Sequence, residues 1–264
     1  MKKICLLLIL TFVCIMTCAC FKESDTSRID TSAVSTSESD TIETEITMTE
    51  VPIELYSVDI KQESIHTDSY SASMIYPQIS GYSDAEIEEK VNALIYSYAN
   101  SKRNTAISQT GADSGVNYDV YSFDVTYKSD KLISALCRGS VTVEGSSSVT
   151  EFAYGINIDF VGVKLIGFDG IVDYKKFEKD FTDGAYIQTN GYENLLSETT
   201  FADIISQYSA LYSIYPDFYI KQSDAGVKLG VIADTVQVLG GLAEFEGVVS
   251  NKGYTTKYFA DLIS

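Results

Sequence analysis

Catalysis or metal binding in this 264-residue chain would have to be built from one histidine, five cysteines and a surplus of acid, 37 Asp and Glu against 19 Lys and Arg. His66 is the lone imidazole, the side chain best suited to move protons near neutral pH. It lies in a polar turn between two strand-like runs and reads as a solvated loop residue. Cys137 occupies the apolar side of an alternating run, where a free thiol packs as a small core residue. Past the first twenty residues these two are the only soft metal ligands, so neither a metal nor a cofactor is expected. Two close carboxylate pairs, Asp169/Asp173 and Asp180/Asp183, have the chemistry a glycosidase uses for acid and base. Each is read more simply as a helix cap or turn former. Asp224-Ala225-Gly226 reads as a hairpin turn, because the other spaced oxygen ligands of a calcium loop are missing. The chain has no Gly-x-Ser-x-Gly elbow, no Ser-x-x-Lys pair, no P-loop and no dinucleotide fingerprint. Gly240-Gly241 reads as a turn between strands. No catalytic residue is assigned.

The 19 Tyr invite a different chemistry, because Tyr is rigid and amphipathic and suits recognition of proteins or sugars. Many lie on the apolar side of strands and belong to a core. Tyr212, Tyr215, Phe218 and Tyr219 gather around Pro216, where packing at a helix-to-strand corner is favoured over a binding surface.

Period-two alternation dominates the elements that would position these groups. Tyr56, Val58 and Ile60 share one face, and Tyr70, Ala72, Met74 and Tyr76 share another. Tyr121, Phe123, Val125 and Tyr127 form a third set, followed by a turn at Ser129-Asp130. Ile133, Ala135, Cys137, Val141 and Val143 continue on the far side of that turn. Phe152, Tyr154, Ile156, Ile158 and Phe160 make the cleanest run. Such runs, joined by short turns, predict antiparallel meanders. Helical spacing appears after a capping-box pattern at Ser83 and Glu86, with Ile87, Val91, Leu94, Ile95 and Tyr98 on one face. Asp84, Glu86, Glu88 and Glu89 favour the helix dipole there. Further helices are expected over Tyr174 to Phe181 and Thr200 to Tyr212, the latter capped by Thr200 with Asp203. Strands return at Phe218 to Gln222, Val227/Leu229/Val231 and Ala243/Phe245/Val249. The fold class is therefore α+β, with antiparallel strand meanders packed against a few helices. The stretch Asn100 to Gly115 reads as a polar loop. Two arrangements stay open, one domain over 55–264 or two subdomains over 55–160 and 161–264.

The first fifty residues are of another kind. Lys2 and Lys3 precede an apolar run from Ile4 to Met16, the layout of a secretory signal. Thr17-Cys18-Ala19-Cys20 ends it and resembles a bacterial lipoprotein lipobox, with Thr17 in place of the usual Leu. That resemblance makes 1–19 a signal peptide and Cys20 the lipid attachment site; an ordinary cleaved signal or a short uncleaved anchor is the alternative. Acylation by more than one chain would hold the protein on a membrane surface. Cys5, Cys14 and Cys18 would leave with the signal, so Cys137 would have no disulfide partner. From Phe21 to Glu50, 13 of 30 residues are Ser or Thr and the net charge is −6. Residues 20–54 therefore read as a flexible, self-repelling tether. The remainder carries 15 Lys and Arg against 29 Asp and Glu. An acidic domain of this kind excludes a phosphate-backbone binder, so no nucleic acid partner is expected.

Four segments carry a wider resemblance. They are Tyr76-Pro77-Gln78-Ile79-Ser80-Gly81 with Asp84 and the helix Glu86 to Ala93; Tyr127-Lys128-Ser129-Asp130-Lys131-Leu132-Ile133-Ser134; Asn157-Ile158-Asp159-Phe160 through Gly162-Val163-Lys164 and Leu165 to Phe168-Asp169; and Phe218-Tyr219-Ile220 through Gly226-Val227. In that order they resemble the extracytoplasmic α+β domain of lysozyme-sensing anti-sigma factors, found also as the non-catalytic domain of some polysaccharide deacetylases. The resemblance spans about residues 55–250. It implies an α+β binding domain outside the membrane. As read, the chain has no sigma-binding segment before its signal and no deacetylase domain after it, and a lipid anchor stands where the family has a membrane-spanning helix. Enzymatic activity and sigma-factor control are therefore not carried over. The expectation is a non-enzymatic lipoprotein at the extracytoplasmic face of a bacterial membrane, recognising lysozyme, another cationic protein or cell-wall glycan. Its alternatives are a glycan hydrolase or deacetylase working through carboxylates, and a structural envelope assembly protein.

Overall fold

The computed structural model describes residues 55–191, 195–211, 215–234, 242–250 and 252–264. Cys20, the tether, Tyr212 and Gly240-Gly241 lie outside them. Two sheets organise the chain. The first runs β1 (Ser57–His66), β2 (Tyr70–Ser80), β3 (Val116–Lys128), β4 (Leu132–Val143), β5 (Val149–Asp159) and β6 (Lys164–Leu165), in that spatial order, and curls into a half-barrel. The second holds β7 (Ile187–Gly191), β8 (Asp217–Ser223), β9 (Gly226–Asp234) and β10 (Leu242–Val248), in the spatial order β7-β10-β9-β8 and antiparallel throughout. The helices are α1 (Ala85–Gln109), α2 (Phe168–Ile171), α3 (Tyr174–Thr182), α4 (Leu195–Glu198), α5 (Phe201–Leu211) and α6 (Lys257–Leu262). The class is α+β, as the alternation predicts.

The first sheet is mixed rather than a pure meander. β2 and β3 pair in parallel from Tyr70↔Val116 to Met74↔Val120, because α1 carries the chain across between them. Parallel neighbours need such a long crossover, and the intervening helix supplies it. β3, β4 and β5 do form the expected antiparallel meander. Val91, Ile95 and Ala99 of α1 pack on its inner face with Met74, Tyr118, Cys137, Tyr154, Ile156, Ile158 and Phe160.

Helix α1 differs from expectation at both ends. Its cap is Asp84, not Ser83: the Asp84 carboxylate accepts from the backbone N–H groups of Glu86 and Ile87, at 2.9 and 3.1 Å. A carboxylate at this end satisfies orphan donors and meets the positive pole of the helix dipole. Downstream, the polar stretch from Asn100 is helix through Gln109, and the loop shrinks to Thr110–Gly115. Ser101, Asn104, Thr105 and Ser108 face out while Ala106 and Ile107 still touch the core. No helix breaker occurs before Gly111, whose φ of +65° follows the last turn. The Thr200–Asp203 cap of α5 is as expected, each residue's side chain accepting from the other's backbone N–H.

β3 corrects a second expectation. Two β-bulges, between Val120 and Ser122 and between Val125 and Tyr127, break its alternation. Tyr121, Phe123, Val125 and Tyr127 therefore do not share one face. Phe123 packs with the first core, Tyr127 enters the second, and Tyr121 stands 51% exposed. Each bulge adds a residue without a partner and re-aims those after it.

The second core lies between the four-stranded sheet and its helices. Phe168, Phe177, Phe181, Tyr186, Phe245 and Phe259 are among its rings. Phe181 meets Phe245, Phe201 and Tyr186 with centroids 5.1 to 5.5 Å apart. Mostly edge-on or tilted, these contacts suit the ring quadrupoles.

Candidate functional site

The two sheets meet where β8, the outer strand of the second sheet, lies across the convex face of the first. An uncovered strand edge leaves unpaired backbone groups, and burying them without partners is costly. Three side chains of the first sheet supply those partners. Asn157 Nδ2 donates to the Phe218 carbonyl at 2.9 Å, Ser134 Oγ accepts from the Ile220 N–H at 2.9 Å, and Thr126 Oγ1 donates to the Ile220 carbonyl at 2.6 Å. Ser134 Oγ also donates to Asn157 Oδ1 at 2.7 Å, closing the network. Beside it, Gly155 lets the strands touch: a Cβ there would sit 1.7 Å from the Phe218 oxygen. Three of the four segments that carry the family resemblance thus converge here, through Ser134, Asn157 and Phe218.

Further along the same contact the sheets part into a cleft of about 480 Å³. β10 forms its floor. Glu244 and Glu246 alternate with core residues Ala243 and Phe245, so both carboxylates point to the first sheet, and they are only 1% and 4% exposed. Each is matched by cations. Arg138 of β4 grips Glu244 through two parallel bonds, Nε to Oε1 and Nη2 to Oε2, both 2.9 Å, while its Nη1 donates to Asp124 at 2.8 Å. Asn190 Nδ2 donates to Glu244 Oε1 at 3.2 Å. Glu246 receives Lys221 at 2.6 Å, the Tyr219 hydroxyl at 3.0 Å and Lys228 at 3.3 Å.

Charge follows from this geometry. Burial opposes the Arg138 charge, yet the Glu244 and Asp124 carboxylates outweigh it and raise the guanidinium pKa. Burial likewise disfavours ionised Glu246, but Lys221, Tyr219 and Lys228 hold its carboxyl below the ordinary 4.5. The Tyr219 hydroxyl is raised by burial and by the Glu246 and Glu244 charges. Glu246 therefore contributes stability in full above about pH 4.5, and loses it as pH falls through its lower folded value. Acid titration followed by circular dichroism should show wild type losing stability more steeply below pH 4.5 than Glu246→Gln. Equal slopes would remove Glu246 from the pH response.

Beyond the cleft, the outer face of the first sheet carries exposed residues. Asp119 and Glu151 flank Ser140 across β3–β4–β5, and both are exposed. Tyr121 projects beside them from its bulge; burial and then the Glu151 charge raise its hydroxyl pKa.

Residues singled out by their type alone go elsewhere. His66 is exposed at the end of β1, its Nδ1 3.0 Å from Ser71 Oγ. Cys137 is buried in the first core, where burial pushes its thiol up to about 12. Of the close acid pairs, three members have structural partners. Asp173 caps α3, Asp183 pairs with Lys179, and Asp180 accepts from Tyr254 at 2.8 Å. Asp224-Ala225 forms the two-residue β8–β9 turn. Around Pro216, Phe218 and Tyr219 are buried, while Tyr215 is exposed and stacks on Phe168 at 5.7 Å. No group of three or more His, Cys, Asp and Glu suited to a metal occurs among the described residues. No helix among them is long and apolar enough to cross a membrane.

Glu244, Glu246 and Arg138 are the residues that sequence reasoning passed over. Their signal was there: two acids two apart in a run whose intervening residues are apolar, and one arginine in a run otherwise free of charge.

No family model matches the chain, and no curated protein matches it. Among solved structures it is similar to the crystal structure of a DUF3298 family protein from Pseudomonas aeruginosa PAO1, with 9% identity and a TM-score of 0.43. That match covers 77% of this chain and 95% of the other, and the likeness is one of fold alone.

Proposed function

We propose that this protein is a lipid-anchored binding domain at the extracytoplasmic face of a bacterial membrane, without catalytic activity, and that its partner is a cationic protein such as a lysozyme. The observation that carries this reading is how the domain spends its few cations. Lys90, Lys102, Arg138, Lys176, Lys179, Lys221, Lys228 and Lys252 are committed to internal ion pairs, eight of the 15 cationic side chains of residues 51–264. A surplus of carboxylates is left at the surface. Asp119 and Glu151, with Tyr121 beside them, give it a focus on an open sheet face. Such a field speeds encounter with a cationic partner and makes affinity fall with salt.

Calorimetry of the full chain in detergent with a basic lysozyme tests this. Heat should appear at low salt, and affinity should drop about tenfold by physiological ionic strength, where the screening length is about 8 Å. Asp119→Asn with Glu151→Gln should flatten that salt dependence. No heat at either salt would overturn the lysozyme reading. Released acetate or reducing ends from cell-wall glycan would favour the hydrolase or deacetylase class instead.

A further inference from the structure

We propose that the cleft between the two sheets is a binding site for a short, uncharged oligosaccharide. This goes beyond the cationic-partner reading and does not rest on it. The cleft's charges cancel within the protein: Arg138 lies between Glu244 and Asp124, and Glu246 holds Lys221 and Lys228. Neither a free cation nor a free anion finds an uncompensated opposite charge at its floor. A ligand that both donates and accepts is better matched.

Sugar hydroxyls do both at each position. A carboxylate oxygen has room for more than one donor, and an ammonium carries three hydrogens. Asp124, whose side chain is 66% exposed, accepts from Arg138 through Oδ2, leaving Oδ1 facing solvent for a hydroxyl. Lys221, with a half-open side chain, donates to Glu246 and keeps further hydrogens for a hydroxyl oxygen. Gln222 adds an amide on the same lining, and Val125, 38% exposed, adds apolar surface for the C–H face of a sugar ring.

The site is also built beforehand. Bidentate Arg138–Glu244 pairing and the Asn190 contact fix the floor, so little side-chain freedom is lost on binding. A volume of about 480 Å³ falls in the usual range of small-ligand clefts, roughly 300–1,000 Å³.

The test is titration of the full chain in detergent with two uncharged probes, chitotetraose and maltotetraose, followed by calorimetry and saturation-transfer NMR. At least one should bind saturably, with an affinity unchanged between low and physiological salt. Asp124→Asn and Gln222→Ala should each weaken it about tenfold while leaving the thermal midpoint and lysozyme binding as in wild type. The proposal fails if neither tetrasaccharide binds at millimolar concentration, or if binding survives both substitutions unchanged. Salt sensitivity of the signal would also overturn it, since that behaviour belongs to the open acidic face.

Discussion

Replacing Arg138 with methionine should destabilise the domain by about 3–5 kcal/mol, a large share of the roughly 5–15 kcal/mol that holds a typical domain folded. The substitution keeps a long side chain in the contact but strips Glu244 of its cation. Glu244 is 1% exposed beneath Arg138, so its charge is poorly hydrated and depends on that partner. Asn190 remains at 3.2 Å, and a neutral amide donor compensates only a small part of a buried charge. Asp124 matters less, because its side chain is largely in solvent. The second half of the experiment separates the cost of an orphaned charge from the value of the pair. Arg138→Met with Glu244→Leu should recover most of the loss, since two apolar side chains need no counter-charge. Urea unfolding followed by circular dichroism reads both, a convenient probe for a chain with no Trp. A single variant within about 1 kcal/mol of wild type would show that Glu244 finds another partner.

Gly155→Val should be at least as damaging, at about 4 kcal/mol or more, for a steric reason. A Cβ at this position lies 1.7 Å from the Phe218 oxygen, a backbone atom that cannot swing aside. β8 would have to lift from the first sheet. That movement breaks the Asn157–Phe218, Ser134–Ile220 and Thr126–Ile220 bonds together, because all three span the same gap. A gentler variant checks the bonds without the clash. Asn157→Leu leaves the Phe218 carbonyl without its side-chain donor and should cost about 1–3 kcal/mol. If Gly155→Val fails to accumulate as folded protein, the Asn157→Leu denaturation curve still decides the case. A wild-type midpoint there would mean that the network does not hold the sheets together.

Both predictions concern residues whose importance comes from what they face across the gap. The inward runs of β2, β4 and β5, the helix face of α1 and the Thr200–Asp203 cap were legible from residue order, because each depends on neighbours a few positions away. The Asp84 cap was displaced by one residue, since Ser83 and Asp84 are both able caps and local spacing does not choose between them. The β3 bulges were hidden for a related reason. Tyr121, Phe123, Val125 and Tyr127 keep perfect alternation on paper, and only pairing with β4 reveals the two extra residues.

The sequence by itself determined the acidic surplus, the distinct character of the first fifty residues, the α+β class and the sides on which most apolar residues lie. These follow from local composition and side-chain period, whatever the partners of each strand. Tertiary structure decided that β2 and β3 run parallel, that Asn157 and Ser134 finish the edge of β8, and that Glu244 and Arg138 share one buried pair. Those partners are 61, 86 and 106 positions apart for the Asn157–Phe218, Ser134–Ile220 and Arg138–Glu244 bonds. Such contacts are chosen by how two whole sheets pack, a sum over many weak terms that no local stretch of chain contains.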